Sequence, residues 1–217
     1  MQERSLASKM IWLLFFVAGM AYVESAVVVY LREIANPGGM IFPIVIIPSP
    51  LAAIEIGREA ATIFMLIALG ALAGSDLWER FLLFCAAFAA WDILYYVWLK
   101  TFIGWPESLL TWDILFLIPV PWVAPVLAPV IVATTMLAGT GTLLGMKSRG
   151  AALSFPAGLW AIAIAGGLVD ILSFTVDFRS AFTGPEPAPF RWGLFALGWA
   201  MATAALVIGA RRISRAR

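Results

Sequence analysis

Six stretches of this chain are each long and apolar enough to cross a bilayer, which leaves little else for it to fold into. A helix needs about 20 apolar residues to span the hydrocarbon core. The stretches run over roughly 10–31, 50–73, 79–100, 121–146, 151–175 and 192–210. The chain is 63% hydrophobic and 12% charged, with a mean hydropathy of +0.97, whereas a soluble domain is about half apolar and about a quarter charged. The expected fold is all-α: a polytopic membrane protein whose six transmembrane helices form one integral-membrane domain over 1–217. Arg4 and Lys9 precede an apolar run that continues to about Tyr30, longer than the ~7–15-residue core of a signal peptide, so it is read as a retained first helix.

Two further apolar segments are too short to cross. Met40 to Ile47 and Ser108 to Ile118 are read as interfacial or re-entrant pieces, the second opened as a helix by Trp105-Pro106-Glu107. Lysine and arginine set the orientation. With six spans the termini share a side, and that side holds nine of the 14 basic residues, including Arg80, Lys147, Arg149 and the tail RRISRAR, against five on the other. Both termini are therefore expected in the cytoplasm, in the cytoplasmic membrane. Proline concentrates in the long connections of the opposite side and in the outer turns of span four, which implies structured outer loops. Ala196, Ala200 and Ala204 form a small-residue stripe on the last span, fit for close approach of a neighbouring span or of a second subunit.

Several chemistries are excluded. A net charge of +1 gives no case for nucleic-acid binding. The absence of histidine removes His-ligated haem, His-based zinc and Glu-x-x-His di-iron sites. The single cysteine, Cys85, cannot form an internal disulfide. No P-loop, dinucleotide-binding glycine pattern, Gly-x-Ser-x-Gly elbow or Cys-x-x-Cys is present. No cofactor is implied. A metal, if bound, would be an oxygen-ligated divalent cation such as Mg²⁺, Ca²⁺ or Mn²⁺.

The informative residues are acids inside the spans. Glu24, Glu55, Glu59, Asp92 and Asp170 all fall about 7–14 Å below the outer interface at 1.5 Å rise per residue. A charge facing lipid costs about 2.5–3.5 kcal/mol on insertion scales, so the acids are expected to face inward and share a pocket. In IEIGREAAT, Glu55 and Glu59 share a helical face, with Arg58 beside them. Arg58 is the one base buried with them and can neutralise one carboxylate, or bridge two. Arg32 and Lys100 could reach down from the rim. Tyr95 and Tyr96 follow Asp92 by three and four residues and can place a hydroxyl in the same pocket; Tyr22 and Tyr30 are further candidates. Asp113, beside Trp112, is read as solvated, with a lid over the pocket as the alternative.

The segment FAAWDILYY, residues 88–96, resembles the Trp-acid-containing helix of membrane-bound terpene cyclases. That resemblance implies an acid role for Asp92, since intramembrane acids in that family are proposed to start cyclisation by protonation.

Three functions compete. The first is transport-like binding of a proton, cation or small polar ligand by Glu24, Glu55, Arg58, Glu59, Asp92, Tyr95, Tyr96 and Asp170. The second is acid–base catalysis on a lipid or isoprenoid, with Asp92, Glu59 and Glu24 as the catalytic candidates. The third is a non-catalytic subunit of a larger membrane complex. The bilayer is a partner in all three, and a membrane-protein partner or a second copy is compatible with each.

Overall fold

The computed structural model describes residues 5–35 and 49–215. Among these described residues there are seven helices and one two-stranded ribbon, in chain order α1 (Leu6–Ala35), α2 (Ser49–Ala73), α3 (Leu77–Ile103), β1 (Trp112–Ile114), β2 (Val123–Pro125), α4 (Leu127–Ser148), α5 (Ala157–Thr175), α6 (Ser180–Thr183) and α7 (Trp192–Arg215). Six helical segments are long and apolar enough to span a membrane, which makes this a multi-pass membrane protein with an all-α bundle. The segment Met40 to Ile47 lies outside the described residues.

The start of α1 and the end of α7 lie at one end of the bundle, here the terminal face: Lys9 meets Glu79 of α3, Trp78 meets Phe155, and Gly209 lies against Phe155. The other end is the loop face. Helix α3 is central, flanked by α1, α2 and α4, while α5 and α7 pair closely and join the rest chiefly through α4. At the terminal face Asp76 caps α3 by accepting from the Glu79 N–H at 3.0 Å, and Glu79 accepts from the Ser75 N–H at 2.8 Å. The first contact satisfies a donor that a helix start otherwise leaves open, and the second fastens the residue before the cap to the first turn. Lys9 on α1 pairs with Glu79 at 2.7 Å, and Lys147 on α4 pairs with Asp76 at 2.5 Å.

The spans differ from expectation where proline intervenes. Helix α4 starts at Leu127 rather than near 121, because Pro121 and Pro125 belong to extended backbone and only Pro129 falls in the first helical turn, where a missing N–H is tolerated. Helix α5 starts at Ala157 rather than near 151: Pro156 precedes it with ψ 148°, and the residue before a proline is steered away from helix.

The larger difference is residues 105–127. Trp105-Pro106-Glu107 opens no helix. The Thr111 hydroxyl accepts from the Ser108 N–H and the Ser108 hydroxyl from the Leu110 N–H, so local side chains take the donors that a helix would use. Beyond this turn the chain forms an antiparallel hairpin, with Asp113 opposite Ala124. Its ladder is extended by Leu127 N–H to Leu109 O and by Leu115 N–H to Trp122 O. The hairpin takes in the segment that the sequence read as interfacial or re-entrant, and it is built of strand and turn rather than helix. It plugs into the bundle through rings: Phe116 lies against Phe88 and Trp91 of α3, and Trp122 stacks on Phe174 of α5.

The alanine stripe on the last span is not buried. Ala196, Ala200 and Ala204 face outward, and the contact with α5 is made instead by Gly166 and Gly198. A Cβ on Gly198 would stand 2.7 Å from the Gly166 carbonyl oxygen.

Candidate functional site

Four of the five intramembrane acids gather around the hairpin, on α1, α2 and α3. Arg58 bridges two of them. Its guanidinium pairs with Glu24 across the α1–α2 boundary and with Glu55 one turn earlier on α2, the Nε–Oε2 distance to Glu55 being 2.9 Å. The Thr62 hydroxyl, one turn beyond Arg58, touches both the Glu24 carboxylate and the Arg58 carbonyl. Spacing of three to four residues puts Glu55, Arg58, Glu59 and Thr62 along one side of α2.

Glu59 has a different task. Both of its oxygens accept from the backbone N–H of Leu117, at 2.9 and 3.1 Å. Leu117 is at the hairpin tip, and Glu59 lies ten residues into α2, about 15 Å along its axis. Non-helical backbone at that depth is tolerated only where protein or water satisfies it, and a carboxylate is a strong acceptor. Pro119 and Pro121 carry no N–H, which removes two further donors from the tip.

A second ion pair sits nearer the loop face. Asp113, on β1, is 2% exposed. It accepts from Arg32 of α1 at 3.3 Å and from the Tyr96 hydroxyl of α3 at 3.1 Å. Trp105 lies flat against the Arg32 guanidinium, 3.8 Å from ring centroid to Cζ. Burial pushes the Asp113 carboxyl up to about 6, against the opposing pull of Arg32, the Tyr96 hydroxyl and the Ile114 N–H. Asp113 is therefore buried and paired rather than solvated, and it joins the site. Its signal in the sequence was an acid inside the apolar run SLLTWDILFLI; its partner, 81 residues away, is Arg32, one of the two rim bases expected to reach down.

Tyr95 stands between the two ion pairs, and Asp92 lies beside the second. Asp92 has Asp113 as its charged neighbour, and among the described residues no basic side chain pairs with it. Tyr95 is within electrostatic reach of Arg32, Arg58, Glu55 and Asp113. Its carbonyl accepts from the Ser25 hydroxyl at 3.1 Å, which ties α1 to α3 at this level. The site thus holds five carboxyls, Glu24, Glu55, Glu59, Asp92 and Asp113, against two guanidiniums, Arg32 and Arg58.

Asp170 is not with them. It lies on α5 against the backbone of Gly198 in α7, with Oδ1 buried and no hydrogen-bond partner among the described residues. Depth placed it level with the others; the direction of its helix face did not. Lys100 turns away and caps the end of α3, donating to the Gly104 and Pro106 carbonyls, both at 2.8 Å. Tyr22 is half exposed, with its ring against Trp98 and Phe102, and Tyr30 is exposed, so neither serves the site. Among the described residues no group of three or more His, Cys, Asp or Glu converges as a metal's ligands.

Comparison of the chain with known protein families, curated proteins and solved structures finds no match in any of the three. The site is therefore read on its own chemistry. Arg58 is fully committed to Glu24 and Glu55, and Arg32 to Asp113. Among the described residues of the site, the acid left without an ion pair or a hydrogen bond is Asp92.

Proposed function

We propose that this protein binds a proton, a cation or a small polar ligand at the Asp92–Asp113 pair, in a transport-like role. The observation that carries the reading is that Asp92 is a carboxyl without a counter-charge, next to a second carboxyl whose arginine is already engaged. Two such acids cannot both ionise cheaply, so one takes up a proton or attracts a cation. Tyr95 and Tyr96 supply hydroxyl groups at the same level. The test is flux into proteoliposomes, followed with an entrapped pH-sensitive dye and with radioactive sodium. Wild type should exceed protein-free vesicles, and Asp92→Asn should lower the rate at least tenfold without shifting the melting temperature by more than a few degrees. Wild-type protein that moves neither ion overturns the transport reading.

The orientation that goes with this reading puts the terminal face in the cytoplasm and the loop face, with the site, on the other side of the cytoplasmic membrane. The excess of basic residues near the termini supports it. In a Cys85→Ala background, single cysteines at Ser148 and Glu186, both exposed, should react oppositely with an impermeant thiol reagent. Glu186→Cys labels from outside intact cells and Ser148→Cys only after lysis; the reverse pattern inverts the topology.

One observation favours acid–base catalysis on a lipid or isoprenoid as the second reading. The hairpin tip held by Glu59 exposes Ile118 and Pro119, so a carboxylate lies one residue behind a surface that hydrocarbon can reach. Asp92, Glu59 and Glu24 would then be the acid and base candidates.

A further inference from the structure

The hairpin tip occupies an unusual place. Helix α2 packs on α1 and α3, and α4 packs on α3 and α7. Between α2 and α4, the wall over α3 is made by residues 116–122, with Phe116 on Phe88 and Trp91 of α3 and Leu117 held by Glu59 of α2. Trp91 lies 12 residues before the end of α3, about 18 Å from the loop face. At that depth Ile118 is 39% exposed and Pro119 is exposed as well, so the tip is a lipid-facing panel set into a helical wall.

Behind the panel the polar groups are unbalanced. Trp91 is 7% exposed, yet its indole N–H has no acceptor among the described residues, and the indole N–H of Trp122 has none either. Both rings lie on Phe116, at 6.2 and 5.4 Å between centroids, and Phe116 adjoins Leu117. An N–H buried without a partner forfeits about 1–3 kcal/mol. Two idle donors and one carboxylate that spends both oxygens on a single backbone N–H therefore surround the same short segment. A hydroxyl satisfies both needs, since it accepts from an indole and donates to a carboxylate. A quaternary ammonium can do neither.

We propose that residues 116–122 close a lateral entry between α2 and α4 for a long-chain alcohol, whose chain lies among Phe88, Phe116 and Trp122 and whose hydroxyl replaces the Leu117 N–H on Glu59. This goes beyond the reading above, whose ligand lies at the Asp92–Asp113 pair, and adds a second site at Glu59 with its class of ligand and its route. The tip is held at depth by the Leu117–Glu59 contact, by Phe116 on Phe88 and Trp91, and by Trp122 on Phe174, so its release breaks one polar contact and a set of ring contacts. Pro119 and Pro121 lack N–H groups, so releasing the tip exposes fewer unsatisfied donors to hydrocarbon.

The experiment is photolabelling of the purified protein in lipid nanodiscs with a hexadecanol carrying a diazirine beside the hydroxyl, with adducts mapped by peptide mass. Adducts are expected on residues 116–122 and on Glu59. Excess hexadecanol should reduce them at least fivefold, and excess hexadecyltrimethylammonium should not. Ile118→Trp, which thickens the panel, should lower labelling without changing competition at the residual site. Adducts spread evenly over the exposed helix faces, with no competition, mean partition into the bilayer only and overturn the proposal. Equal competition by the quaternary ammonium overturns the hydroxyl assignment. Ion flux is not part of the readout: specific labelling without flux leaves this site standing and removes the transport reading, and flux without labelling does the opposite.

Discussion

Arg58→Ala should destabilise the detergent-solubilised protein by about 3–5 kcal/mol, the range for removing one side of a buried ion pair. The loss arises less from the missing attraction than from two stranded carboxylates, Glu24 on α1 and Glu55 on α2, which Arg58 now neutralises together. Rescue discriminates the partners. Adding Glu24→Gln or Glu55→Gln to Arg58→Ala should restore part of the melting temperature, because each removes a stranded charge. Adding Glu59→Gln should restore less, because Glu59 gives both oxygens to the hairpin backbone and acts on Arg58 and Glu55 only through space. A melting temperature for Arg58→Ala equal to that of wild type, or rescue by Glu59→Gln alone, would contradict the pairing described.

The second large effect is expected at the α5–α7 contact. In an ordinary helix, replacing glycine with alanine gains about 1 kcal/mol of helix propensity. At Gly198 the sign should reverse. A Cβ there would meet Asp170 Oδ1 at 2.5 Å, and the Asp170 nitrogen and Gly166 oxygen at 2.7 Å, and the backbone atoms among these cannot swing aside. Overpacking of this kind costs about 1–3 kcal/mol, so Gly198→Ala should melt earlier than wild type. Gly19→Ala, with nothing within 4 Å of the added carbon, should be neutral or stabilising and serves as the control. If Gly198→Ala is at least as stable as wild type, the two helices are not in the contact described.

These two sites show what the sequence could and could not carry. The spans were legible because length and hydropathy are one-dimensional properties, and six helices stand close to where the apolar runs put them. The Arg58–Glu55 pair was legible because three residues on a helix are one turn. Glu24 as the other half of that bridge was foreseeable only as an acid at a similar level. Depth alone misled at Asp170, since helices at one level of a bundle can present their acids to different neighbours. The hairpin was hidden for another reason: SLLTWDILFLI carries no clean period, and its strand pairing depends on residues 123–125, which read as the continuation of a span. With the hairpin went Asp113, whose arginine comes from a helix 81 residues earlier. Of the two partners read for the alanine stripe, the neighbouring span is not the one, because the α5–α7 contact runs through Gly166 and Gly198, whose backbones approach more closely than a Cβ would allow.

The polar knot at the terminal face has a consequence for how the protein is made. Lys9 is synthesised 70 residues before Glu79, and Asp76 is synthesised 71 residues before Lys147. Neither pair can close within one helix, and the first skips α2 altogether. The first waits for α3 and the second for α4, and Ser75, Asp76 and Glu79 in the short α2–α3 connection receive both. Until then each charge must remain in interfacial water, which keeps that end of every early helix from sliding into hydrocarbon. The connection thus acts as a clasp that shuts in sequence, and four helices become mutually fastened only when the ribosome has delivered the last of them.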